Sequence, residues 1–107
     1  MMNWSERYAM AQGDTIETLR VKLQKNADKY TDARSAPHTW LKNYNDAVNN
    51  DSDHASLSNI CHTNADQARV MGETNHQRYF ANSRMWRELA GKHGAFASSQ
   101  NINERYK

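Results

Sequence analysis

Aliphatic side chains are scarce in this chain, and that scarcity limits what it can fold into. Five Leu, three Ile, three Val and two Phe are spread over 107 residues. So low a share is typical of disordered chains, which fall below ~20%, but those usually carry a high net charge as well. Here 14 Lys and Arg face 12 Asp and Glu, a net charge of +2. Three Trp, five Tyr and five Met supply bulk that the aliphatics do not. Aromatic rings bury large areas and Met fills irregular gaps, so a core is attainable but thin. A single domain of this size buries only ~60–68% of its surface in any case. Self-association or a bound partner is therefore an expected source of further burial.

The near balance of charge excludes a strongly basic nucleic-acid protein and an acidic mimic of DNA. The longest apolar runs are three residues, such as Ala9-Met10-Ala11, against the ~20 that a membrane span needs. The opening Met-Met-Asn-Trp-Ser-Glu-Arg has no apolar signal core. Cys61 is the sole cysteine, so no internal disulfide forms. These features lead to the expectation of a cytoplasmic protein, or one carried in a particle assembled there, with no membrane partner.

Helical spacing recurs along the chain, and period-two alternation does not. The first helical segment is expected over 4–30, with Trp4, Tyr8 and Ala11 at i, i+4, i+7. Asp14 and Glu17 form a capping pair that can restart a helix after Gly13. From there Ile16, Leu19, Leu23, Asn26, Ala27 and Tyr30 share one face, spaced like a short heptad seam. Residues 31–35 read as a loop, and Pro37 suits a first helical turn. Trp40, Leu41, Tyr44, Ala47 and Val48 make the next stripe, to about residue 49. Asn49-Asn50-Asp51-Ser52-Asp53 is the clearest linker, with Asp53 a candidate N-cap.

The stretch 53–90 admits two readings. In one, Gly72 ends a helix and Thr74 with Gln77 caps a new one. In the other, positions 57, 61, 64, 68, 71, 75, 79, 82, 86 and 89 lie on a single long helix that tolerates Gly72. Gly91 and Gly94 are expected to close the segment. The expected domain is thus 1–94, followed by a polar tail, 95–107. The fold class is all-α. The architecture is either a small helical bundle or an elongated hairpin, 4–30 against 53–90, bridged by a short third helix.

No chemistry-bearing motif stands out. There is no P-loop, G-x-S-x-G, G-x-G-x-x-G, C-x-x-C or H-E-x-x-H. His54 and Cys61 lie about 10 Å apart along a helix, a poor fit to one tetrahedral ion. His62 projects ~100° away from Cys61, so Cys61 reads as a plain buried thiol. No enzyme, metal or cofactor is expected. The expectation is a non-enzymatic interaction or structural protein: an assembly subunit, adaptor or inhibitor, with a phage subunit among the options.

Its packing or oligomer seam would comprise Trp4, Tyr8, Leu19, Leu23, Asn26, Tyr30, Trp40, Tyr44, Asn64 and Trp86. Asn26 and Asn64, continued by Asn75 and Asn82, either fix register within that seam or stay wet. Phe80, Arg84 and Arg87 are the candidate outward contact surface, an aromatic beside guanidinium groups. The alternative is a small nucleic-acid-binding module using Lys22, Lys25 and Lys29, which fall on one helix face.

Overall fold

The structure, a computed structural model, describes residues 16–29, 32–74 and 77–105, and the side chains among them through residue 98. Four helices and no strand occur among these residues: α1 (Ile16–Asp28), α2 (Ala36–Asn49), α3 (His54–Thr74) and α4 (Tyr79–Arg105). The fold is all-α, and of the two expected architectures it is the compact bundle. No helix among the described residues is long and apolar enough to cross a membrane.

α1 buries Leu19, Leu23, Asn26 and Ala27, one stripe at helical spacing. Glu17 in its first turn and Lys25 in its last complement the helix dipole. In α2, Ser35 precedes the helix in extended backbone without a side-chain cap, and Pro37 occupies the first turn. Pro37, Trp40, Leu41 and Tyr44 are its buried face.

α2 stops in a Schellman arrangement. The Asp51 N–H bonds the Val48 carbonyl and the Ser52 N–H bonds the Ala47 carbonyl, both at 3.1 Å. This needs a left-handed residue, and Asp51 supplies it at φ 57°. Short polar side chains tolerate that region better than most. Asp53 then caps α3 as its sequence position predicts, its Oδ1 accepting the Ser56 N–H at 2.8 Å.

α3 and α4 form the central antiparallel pair. Ser58 Oγ donates to the Ala90 carbonyl and Ser83 Oγ to the Ala65 carbonyl, each at 2.9 Å. At the far end Phe80 lies on Gly72. Small residues at 61, 65, 68 and 72 let the two backbones approach this closely. The observed hairpin is therefore 54–74 against 79–105, and not 4–30 against 53–90.

The two-helix reading of 53–90 holds, with the break two residues past Gly72. The helix runs through it to Thr74, where Thr74 Oγ1 bonds back to the Val70 and Met71 carbonyls and does not cap α4. The chain then reverses before Tyr79, so no single helix spans 53–90. Gly91 and Gly94 do not end α4 either. The buried stripe of Leu89, Ala90, His93 and Phe96 continues across them, and packing outweighs glycine's weak propensity. Residues 95–105 of the expected polar tail continue α4 to Arg105.

The core is aromatic at its centre. Trp40 meets Tyr79 edge-on at 6.1 Å between centroids, and Tyr44 meets Trp86 at 5.6 Å. Leu19, Leu23, Leu41, Leu57 and Leu89 close around them. All five leucines of the chain are thus spent on one core. Val21 and Val70 are the large hydrophobics left exposed among the described residues.

Candidate functional site

Of the residues expected in a seam, Leu19, Leu23, Asn26, Trp40, Tyr44, Asn64 and Trp86 are all buried within the one chain. They are its core, and an intermolecular seam through them would require the bundle to open. Trp4, Tyr8, Tyr30 and Asn75 lie outside the described residues. The asparagines are dry: Asn26 Nδ2 donates to Asn82 Oδ1 at 2.7 Å, joining α1 to α4. Asn64 Nδ2 donates to the Trp40 carbonyl at 3.4 Å, joining α3 to α2. The register they fix is that of helices inside the bundle.

The expected outward surface is only partly outward. Arg84 and Arg87 are exposed, but Phe80 is half-buried. A Cβ added at Gly72 would sit 3.0 Å from three atoms of its ring. The ring is occupied in helix pairing. Lys22 and Lys25 on α1 and Lys29 just after it are exposed together.

A surface that sequence spacing did not reveal lies between α2 and α3. Ala36, Trp40, Asp66, Gln67, Val70 and Met71 line an open, mostly apolar hollow of about 440 Å³. Asn43, Asn59, Ile60, Thr63, Asn64 and Gln67 line a second hollow of about 330 Å³. Gln67 borders both, so the two hollows adjoin in an α2–α3 groove, one apolar and the other amide-lined. Along α3 it covers residues 59 to 71, about 18 Å at 1.5 Å per residue. Polar contacts bridge α2 and α3 along it. Trp40 Nε1 donates to Gln67 Oε1 at 2.6 Å, beside the Asn64 bond. Val70, 47% exposed, stands in its apolar end.

The second feature is a line of polar rings. Tyr44 Oη lies 2.6 Å from His93 Nε2, and His93 Nδ1 lies 2.8 Å from His54 Nδ1. The line joins α2, α4 and the first residue of α3. Phe96 and His93 flank the His54 ring, each 5.1 Å away between centroids. Burial, with the nearby His54 and Arg20 charges, lowers the His93 pKa to about 4. Burial also raises the Tyr44 phenol well above its usual range. Both rings are therefore neutral at pH 7.

Burial likewise pushes the Cys61 thiol up to about 12. A thiol attacks only as thiolate, so Cys61 is the inert buried group its sequence context indicates. Among the described residues no three His, Cys, Asp or Glu side chains converge as metal ligands. Sequence order gave no sign of the ring line, because its members are 49 and 39 residues apart. Compared with known proteins, the chain matches no family model, no curated protein and no solved structure.

Proposed function

We propose that this chain is a non-enzymatic assembly protein, and that its α2–α3 groove seats against the same groove of a second copy. The observation that carries this reading is the half-exposed Val70 beside an apolar hollow floored by Trp40. Other large hydrophobics on these two helices are at least partly covered. A two-fold contact presents one patch to itself, so each half-exposed Val70 packs against the apolar lining of the partner's hollow. The amide-lined end then supplies polar contacts at the rim, as interfaces commonly have.

Light scattering over a range of concentrations tests this. The expected result is a dimer that dissociates on dilution. Val70→Asp should shift it to monomer at least ten-fold, with unchanged helicity by circular dichroism, because Val70 is outside the core. A chain that stays monomeric at every concentration would overturn the reading.

A second reading rests on the lysine arc of α1. Lys22, Lys25 and Lys29 are exposed within one narrow sector, a geometry that can track phosphates. Binding of this kind falls steeply with salt through counterion release. DNA or RNA binding insensitive to salt between about 0.05 and 0.2 M would end it.

A further inference from the structure

We propose that the Tyr44–His93–His54 line is an acid-operated latch, in which one proton bridges the two imidazoles and holds the start of α3 against α4. The geometry sets the rule. At 2.8 Å, Nδ1 of His54 and Nδ1 of His93 have room for one hydrogen between them. With both rings neutral, the Tyr44 hydroxyl donates to His93 Nε2, and His93 Nδ1–H donates to His54 Nδ1. The line is satisfied from end to end.

A first added proton is accommodated by reversing the line. His54 Nδ1–H then donates to His93 Nδ1, and His93 Nε2–H donates to the Tyr44 oxygen. A second added proton is not accommodated. Both Nδ1 atoms then carry hydrogens, two cations face each other at bonding distance, and the contact must part. His54 is the first residue of α3 and also lies tilted against Phe96, so parting frees the start of α3 from the middle of α4.

The surrounding charges favour opening in acid. From α1, the Arg20 guanidinium stands 5.9 Å over the Tyr44 ring and opposes a further cation at His93. Glu17 lies beyond Arg20 and is paired with it at 3.3 Å. On α4, Lys92 is buried next to His93 in sequence. From α3, Cys61 is a neutral thiol. Asp53, just before His54, has its carboxyl held below the usual range, first by the Ser56 N–H and least by His54. The second proton thus enters a site already facing a cation. The unfolded chain protonates this imidazole near pH 6.5, and the folded chain near 4. Between those values the unfolded state binds more protons, so stability falls as pH falls and is fully present above about 6.5.

The test is a titration of the full chain by ¹H–¹³C NMR of the histidine rings, with backbone amide shifts followed from pH 7.5 to 3.5. His93 is expected to titrate about two pH units below an exposed histidine. Amides of residues 54–58 and 92–96 should change in that same step. In His54→Gln, the amide oxygen still accepts from His93 Nδ1–H and the second cation is gone. The His93 ring should then titrate at higher pH without moving those amides. His93 titrating near 6.5 in the native chain would overturn the latch. So would an amide step that persists unchanged in His54→Gln. Because His54 is only half-buried, this variant leaves the core packing in place.

Discussion

Asn26 and Asn82 form a buried polar tie between α1 and α4. Each would cost free energy if left alone in the core, and each partly satisfies the other. Asn82 Nδ2 and Trp86 Nε1, one helical turn apart on α4, have no hydrogen-bond partner among the described residues. The polar seam is therefore incompletely satisfied, and its value is more positional than energetic. Asn26→Ala should lose about 1–3 kcal/mol in urea denaturation, since it strands Asn82 Oδ1 as well. Asn26→Leu with Asn82→Leu should cost less than the sum of the two single changes, because neither asparagine is then left without its partner. Additive losses would show that the bond contributes nothing. The stripe that places Asn26 at a buried position was legible in its spacing from Leu19 and Leu23. Its partner was not, because nothing local connects residues 56 positions apart.

At the scale of helices, glycine is where sequence reading and structure diverge most. Gly72, Gly91 and Gly94 look alike as helix breakers, yet none of them ends a helix. Gly72 is there for space, since a Cβ would press on the Phe80 ring at 3.0 Å. Gly91 has nothing within 4 Å of where its Cβ would be. The two therefore respond oppositely to the same change. Gly91→Ala should stabilise by about 0.5–1 kcal/mol through helix propensity alone. Gly72→Ala should forfeit that gain and lower the thermal midpoint, and Phe80→Leu should relieve the loss. Equal effects at the two sites would mean that Phe80 yields freely. The cap at Asp53 was readable because it acts over three residues. The turn after α2 was a recognisable linker, but its left-handed residue is Asp51, not a glycine. The role of Gly72 depends on a ring brought in from the next helix, which no window of local sequence contains.

For the whole molecule, the scarcity of aliphatics proves compatible with a single-chain core. Trp40, Tyr44, Tyr79 and Trp86 fill the centre that leucines would otherwise occupy. That the fold is all-α followed from spacing alone. The partition into core and surface followed only in part, because residues suited to an intermolecular seam serve equally well in an internal one. The groove and the ring line were not readable, being made by the placement of α2, α3 and α4 on one another.

The serine bonds from Ser58 to Ala90 and from Ser83 to Ala65 tie together parts of the chain only 32 and 18 residues apart. α1 reaches α4 across 56 residues and α2 across 25, and its contacts with each are far fewer than those of the α3–α4 pair. α3–α4 is the most extensive helix pair, so its closure is offset by the most contacts. Assembly order and native-state opening should follow from this. The hairpin of α3 and α4 forms a cooperative unit onto which α1 docks late, and from which α1 leaves first. Native-state hydrogen exchange should find the slowest amides near residues 61–68 and 83–90, with those of α1 at least ten-fold faster. Uniform protection across all four helices would instead make the bundle one indivisible unit. If α1 does leave first, the bundle passes through a state in which Leu19 and Leu23 are uncovered while α3 and α4 remain joined. That state, rather than full unfolding, would set how readily proteases and chaperones gain hold of the chain.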